Sequence, residues 1–548
     1  MIRKKFLKAR ASCHALASVT GLAMIFLGSL IFSAGIIAQQ SDNLSGLINK
    51  GSDALDDWRY QDAEEIAFQV EEMAAREKDP ARQAEGYSFL GQYWFDQGDY
   101  KRALAELEKS RELNPQPDSK VDKFYDRMEK LSSLFGSPGE ESSPHFIMRW
   151  TDPRDRVLAK PGLSALEQAY TALGRDFNYF PKGGKILVEI YPRPGDLANA
   201  VGLEEDMIKD SGTIAVCKYR RMMLTSPRAL AFGYDYLTTF SHELGHFFIY
   251  SFSGEAVPIW LHEGLAKYEE LSFRGRAGEL SPVPKSLLVS AIRNNELITF
   301  AQMSPTFAQF KSPKQGQLAF AEVATMVDYL RQKCGSDSWF KIFDLLKQGK
   351  SDKEAARAVC GQDFTALWQD WQKWVLAKGW QVIPGAVVLR MEFKEQEGKE
   401  EEEEFGKEEG KAWEFVRLGD LLRDRQFYQA GVVEYKKALD LEPYNPKIMN
   451  KVGFGQILAK DYQAAISVLK KAAEIYPDQS TTFVNLGRAY LSANDDQNAV
   501  SSFETALELN PFNPIPYRNL INLYQKAGNQ AQAKEMQARL EIIKKPGR

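Results

Sequence analysis

A period of 34 residues governs the C-terminal third of this chain. Gly419, Gly453 and Gly487 recur at that spacing, as do Ala438, Ala472 and Ala506, and Pro443, Pro477 and Pro511. Ala465 and Ala499 each follow a repeat glycine by twelve residues, and Tyr435, Leu469 and Phe503 keep a large apolar group in register. A fixed period of this length means units that cannot bury their apolar face alone and must stack on one another. A fourth unit begins near Pro514, with Tyr517, Leu520, Tyr524 and Ala533 in place. Its polar tail, LEIIKKPGR, suits a terminal cap.

The same register returns near the N-terminus. EGYSFLGQYWFDQGDYKRALAELEKSRELNPQP carries Tyr87, Leu90, Gly91, Trp94, Ala103, Leu107 and Pro115 at matching offsets. A weaker unit with Gly51 and Ala63 precedes it. These segments resemble the tetratricopeptide repeat, in which small residues let two antiparallel helices approach and a proline ends the second. The resemblance implies all-α repeats over 44–118 and, in about four units, over 412–545. Their concave surfaces would bind extended peptides or protein partners.

Between the arrays, residues 145–385 do not repeat. HFIMRW alternates like a strand, GLSALEQAYTALGRDF reads as a helix, and KILVEIY, TIAVCKY and RMMLTS are strand-like. From Tyr234 onward the pattern is helical. Strands followed by helices predict an α+β domain. Residues 392–411 hold ten Glu and four Lys with little apolar content, which predicts a solvated linker.

The first forty residues differ from the rest. MIRKKFLKAR has five basic residues, and the thirty that follow have no Asp, Glu, Lys or Arg. A basic stretch before an apolar run is an export signal, so 1–40 reads as a signal peptide, with Ala38–Gln39 as a cleavage junction. Left uncleaved, residues 15–38 are long enough for an inner-membrane anchor. The remainder is expected to work outside the cytoplasm, in the periplasm or secreted. A net charge of −4 shows none of the basic excess of a nucleic-acid binder. The chain has only four cysteines, too few for a disulfide-built fold; Cys334 and Cys360 could pair or could be two separate small buried residues.

The strongest chemical signal is FSHELGHFFIYSF, residues 240–252. On a helix, His242 and His246 lie about 40° apart around the axis and about 6 Å apart along it, so both imidazoles share a face. That suits two ligands of a tetrahedral zinc. Glu243, rotated by about 100°, would reach the bound water rather than the ion. Two histidines and a glutamate on so apolar a helix need partners to offset their burial, which a metal and its surroundings would supply. A third protein ligand is still required. Downstream, PIWLHEGLAKYEEL places Pro258 at a helix start and Glu263 on the inner face of a second helix, with sixteen residues between it and His246. His262 is a competing ligand one position off that face, and Glu269 and Glu270 would form a solvated face or an outer shell.

HELGH followed by WLHEGLA resembles the gluzincin metallopeptidases, over roughly residues 185–375. The resemblance implies a zincin-like metallopeptidase domain with one zinc, held by His242, His246 and Glu263, and Glu243 as general base and acid in peptide-bond hydrolysis. It implies that RRMMLTSP forms the sheet edge along which substrate backbone lies, and that a Tyr or His donates to the oxyanion, for which Tyr268 and Tyr329 are candidates. The metzincin continuation is absent, since Ile249 and Phe252 stand where Gly and His would be. Lys267 occupies the place of an Asp that backs a zinc ligand in thermolysin-like enzymes, and no GxMEN-type motif supports aminopeptidase action. The expectation is therefore an exported zinc peptidase whose repeats recruit protein or peptide substrates or partners. The alternative is a cell-envelope scaffold whose work is done by the repeats, with a structural or rarely active zinc domain.

Overall fold

A computed structural model describes residues 43–114, 119–310, 312–394 and 410–547. The leader 1–40, with its anchor segment 15–38, and most of the acidic linker fall outside them. Among the described residues, no helix is long and apolar enough to cross a membrane.

Five strands form one sheet: β1 (Gly139–Ser142), β2 (Phe146–Trp150), β3 (Ile186–Tyr191), β4 (Ala215–Lys218) and β5 (Arg221–Thr225). Their order is β1-β2-β3-β5-β4. β2, β3 and β5 run parallel, and β1 and β4 pair antiparallel on the outside. The helix Ala159–Asp176 makes the crossover between β2 and β3 that parallel pairing requires. β1 starts ahead of the expected residue 145. Its sequence, GEES, has no apolar alternation, and backbone pairing to β2 alone makes it a strand.

The alternation in β3, ILVEIY, sends Ile186, Val188 and Ile190 to one face and Leu187, Glu189 and Tyr191 to the other. The first set joins a buried cluster with Leu163 and Leu166 of the crossover helix and Phe240 and Leu244 further on. On the opposite face Tyr191 and Met223 cluster with Phe95, Tyr100 and Leu107 from the N-terminal helices. A sheet covered on both faces buries whatever its strands carry, so Glu189 and Arg221 are enclosed. They form a buried ion pair: Arg221 Nε lies 3.3 Å from Glu189 Oε2, and the Tyr100 hydroxyl donates to that oxygen at 2.6 Å. The Arg221 guanidinium also donates to the Phe95 carbonyl. The N-terminal repeat helices, Leu44–Asp56 through Tyr100–Leu113, are thus fixed to the sheet by packing and by the hydrogen bonds that link Tyr100 and Phe95 to its buried ion pair.

The 34-residue period has a steric origin. A methyl added at Gly419 would lie 2.4 Å from the Tyr435 ring, one at Gly453 2.5 Å from Leu469, and one at Gly487 2.5 Å from Phe503. Each repeat glycine meets the large residue sixteen positions later, so both positions must repeat together. The helices from Lys411–Asp424 to Gln530–Ile543 form this array. Phe503, Leu507, Tyr517 and Leu520 belong to the same buried cluster as Tyr236 and Phe240 of the central region. Arg274 lies 3.8 Å from Asp235 and 3.3 Å from Glu508, and the Asn510 amide donates to the Phe232 carbonyl at 3.3 Å. A disulfide joins Cys334, at the end of the helix Pro313–Cys334, to Cys360, with Cα atoms 5.0 Å apart.

Candidate active site

The motif helix spans Tyr236–Ser253 and begins where the Asp235 side chain accepts from the Thr238 N–H. A return helix, Ile259–Glu269, follows after a short turn. Two glycines let these helices and the helix Pro313–Cys334 approach. A methyl at Gly245 would lie 3.1 Å from the Ala266 Cα, and one at Gly264 2.8 Å from the Val323 carbonyl oxygen. The Gly of HELGH and the Gly of WLHEGLA therefore have the same task, which is to bring His246 and Glu263 to one point.

They meet closely. His242 Nε2 and His246 Nε2 are 3.2 Å apart. Glu263 Oε2 lies 3.6 Å from the first and 3.4 Å from the second. A triangle with these sides has a circumscribed radius of about 2 Å, close to the length of a zinc–ligand bond. His242, Glu243 and His246 also offer donor atoms within 4.8 Å of one another.

Each ring nitrogen facing away from this triangle has a partner. His242 Nδ1 lies 3.4 Å from Glu270 Oε2, and Lys267 Nζ lies 2.5 Å from Glu270 Oε1. The carboxylate behind His242, which position 267 does not supply, comes instead from Glu270, two helical turns beyond Glu263 and on the same face, an i,i+7 relation readable in the sequence. His246 Nδ1 lies 2.7 Å from His262 Nδ1. The His262 ring stacks on His246 and packs 4.3 Å from Tyr250, and Tyr250 stacks at 4.8 Å on Trp58 of the N-terminal repeats. His262 is a backing group behind His246 and not part of the triangle.

Electrostatics follow from burial and these neighbours. Burial opposes charge on His242, but Glu263 and Glu270 raise its imidazole to about 10. Burial would raise Glu263, yet His246 and His242 hold it well below the usual carboxylate range. Burial, then the nearby His246, pushes the His262 imidazole far down, so it stays neutral. Burial raises the Glu243 carboxyl against the pull of His246 and His242, and the Cys217 backbone N–H hydrogen-bonds it. Its second oxygen, Oε2, is buried without a hydrogen-bond partner among the described residues.

Three expectations change. The strand beside the site is β4 and not β5: the turn after Lys218 folds β4 back outside β5, so RRMMLTSP is internal and Ala215–Lys218 is the edge. Tyr268 and Tyr329 are not at the site. Tyr268 sits about 140° around the return helix from Glu263, with its hydroxyl 3.5 Å from Arg331 Nη1. Tyr329 packs its ring 5.7 Å from Trp374. Of the tyrosines that do line the cavity, Tyr234 donates its hydroxyl to the Thr225 carbonyl at 2.5 Å, while the Tyr250 hydroxyl has no hydrogen-bond partner among the described residues.

The triangle opens into a cavity of about 1370 Å³. One wall is β4 with the motif and return helices. The facing wall comes from the C-terminal repeats, including Lys447, Asn450, Phe454, Asn485 and Arg488. Sequence periodicity showed that the repeats stack but not that they enclose the site.

Fold and site together define a zincin-like α+β domain set between all-α helical repeats. Residues 181–377 match the family model of the Peptidase MA superfamily, and residues 84–117 and 480–513 match models of the tetratricopeptide repeat. The chain therefore carries a Peptidase MA superfamily domain flanked by tetratricopeptide repeats. No curated protein matches it. Among solved structures, a crystal structure of MamA is 18% identical, with 24% of this chain and 77% of that one covered and a TM-score of 0.23. MamA 41-end from Desulfovibrio magneticus RS-1 is 20% identical over 24% of this chain and 75% of that one, also at 0.23.

Proposed function

We propose that this chain is an exported zinc-dependent peptidase that hydrolyses peptide bonds in proteins or peptides. The observation that carries the reading is the convergence of His242 Nε2, His246 Nε2 and Glu263 Oε2 at 3.2–3.6 Å beside the unpartnered Glu243 Oε2. Two imidazoles and one carboxylate would form the donor set of a catalytic zinc, with one position left for water, and His242 would release its proton on binding the ion. Zinc bound there supplies Lewis acidity and lowers the pKa of a water to about 7.

The remaining work falls to the chain's own residues. Glu270 and His262 hold the two imidazoles by their outer nitrogens and so fix which nitrogen faces the cavity. Glu243 Oε2 takes the proton of the attacking water and delivers it to the leaving amine nitrogen. The edge strand β4 offers backbone groups to an extended substrate, as sheet edges do for peptides. The apolar leader and the disulfide between Cys334 and Cys360 support an extracytoplasmic location.

The test is cleavage of an unfolded protein by the purified full chain, with and without a chelator. Glu243→Gln is expected to retain zinc and lose at least about a hundredfold in rate. Cleavage by that variant at the parent rate would refute the mechanism. Chelator-insensitive binding of partners with no cleavage by the parent would favour the scaffold reading instead.

A further inference from the structure

The C-terminal repeats present two polar stripes to the cavity. Lys447, Asn450, Lys451 and Phe454 follow helical spacing along Pro446–Leu458, and Thr481, Asn485 and Arg488 do so along Ser480–Ser492. Most charges on this wall are already matched. Lys451 Nζ lies 2.7 Å from Asp420 Oδ1, Arg423 Nη1 lies 3.1 Å from the same oxygen, and Lys447 Nζ lies 3.7 Å from Glu392. Across the cavity, Arg274 takes Glu508 and Arg390 takes Asp210.

Arg488 is the exception. Among the described residues it has no ion pair and no hydrogen bond; its guanidinium carbon lies 5.5 Å from the centre of the Phe454 ring. The carboxylates on its wall, Asp478 and Glu474, do not reach it, and burial lowers its basicity with no acidic group opposing that. Beside it, one turn earlier, Asn485 is 6% exposed. Its amide donates to Asn450 Oδ1 at 3.0 Å, while the Asn450 amide donates to Thr482 Oγ1 at 2.8 Å and to the Pro446 carbonyl at 2.9 Å. This chain of amides fixes Asn485, three residues before Arg488 on the same helix face, with one N–H of its amide not used in these bonds. A half-desolvated cation with a neighbouring amide donor, on the wall of a substrate-sized cavity, is built for an anion with planar oxygens.

We propose that Arg488 and Asn485 bind a carboxylate of the peptide substrate, so that the C-terminal repeats form a specificity subsite of the catalytic cavity. The inference rests on the peptidase reading for its substrate, a peptide that carries an α-carboxylate or an acidic side chain. It departs from the view of the repeats as a separate docking arm, because the subsite shares one cavity with the histidine–glutamate triangle.

The experiment uses the zinc-loaded full chain carrying Glu243→Gln, which holds substrate without turnover. Fluorescein-labelled unstructured peptides of mixed sequence are titrated in four forms: the free acid, the C-terminal amide, and each of these with Asp and Glu replaced by Asn and Gln. A charged form is expected to bind about tenfold or more tighter than the fully uncharged form. Arg488→Gln is expected to erase that preference, Arg488→Lys to keep part of it, and Asn485→Asp to erase it by placing a carboxylate against the guanidinium. Melting curves identify any variant that fails to fold, and the second and third variants then carry the test. Loss of preference on amidation alone assigns the α-carboxylate, and loss on Asn/Gln replacement alone assigns a side chain. Equal binding of charged and uncharged forms, or a preference unchanged in a folded Arg488→Gln, overturns the subsite. Cleavage by the parent is read separately. Arg488-dependent binding without cleavage would sink the peptidase reading alone, and cleavage with no charge preference would sink the subsite alone.

Discussion

Gly264→Ala isolates how the fold builds the site. The added methyl would stand 2.8 Å from the Val323 carbonyl oxygen, 3.0 Å from Val327 Cγ2 and 3.1 Å from the Val323 carbonyl carbon. Carbon–oxygen contacts relax at about 3.3 Å or more, so the return helix must retreat from Pro313–Cys334 by roughly half an ångström. Two of the three obstructing atoms are backbone within a helix and cannot swing aside. Overpacking of this kind costs about 1–3 kcal/mol, offset by about 1 kcal/mol because alanine is the better helix former. The net loss of about 1–2 kcal/mol is expected to lower the melting temperature by a few degrees. Glu263 adjoins Gly264, so the same retreat draws its carboxylate from the two imidazoles. Zinc affinity, measured by competition with a chromophoric chelator, is expected to fall about tenfold, as it does when ligand positioning is disturbed. Gly316→Ala is the control, because a methyl there meets nothing within 4 Å and the protein should melt no lower than the parent. A Gly264→Ala variant with parental melting temperature and zinc affinity would refute the close approach as the device that places Glu263.

Two further outcomes follow from buried carboxylates. Glu270→Gln keeps the shape behind His242 but removes the charge that Lys267 and His242 share. Zinc affinity should drop about ten- to hundredfold, and an unchanged dissociation constant would remove Glu270 from the site. Glu322 is fully buried, accepts from the Ile298 N–H at 2.9 Å, and is pushed up to about 8, chiefly by burial. An unfolded glutamate titrates near 4.3, so between those values the folded chain holds a proton that the unfolded chain has released. Stability therefore declines as pH rises from about 4.5 to about 8. Glu322→Gln should remove that decline, its gain in melting temperature being near zero at pH 4.5 and growing to pH 8. A pH-independent difference would show that the group ionises normally in the folded state.

Parts of the site were legible because the chemistry is local. His242, Glu243 and His246 sit on one helix, where spacing fixes geometry, and the turn to Glu263 is too short to allow many arrangements. Glu270 was legible in principle from its i,i+7 relation to Glu263, but nothing in the sequence says whether that face meets solvent or His242. The tyrosines illustrate the opposite case. Tyr268 lies five residues after Glu263, yet the helix carries it round to Arg331, and Tyr329 is committed to Trp374. The edge strand was misassigned because β4 and β5 have similar patterns, and only the hairpin at Lys218–Arg221 decides which lies outside.

The sequence by itself determined the repeats, the α+β character of the middle and the identity of the triangle, because each is written in spacings of a few residues or in a period that steric pairing enforces. Gly487 must face Phe503 in any stacked array of this kind. The tertiary structure alone decided that the N-terminal repeats cover one face of the sheet, with Arg221 and Glu189 sealed between them, and that the C-terminal repeats close over the cavity with Arg488 on its wall. Those arrangements depend on which surfaces meet across hundreds of residues of chain. Burial on both sides of a strand or a shared cavity leaves no periodicity to read, since the energy comes from a partner surface that local sequence does not name.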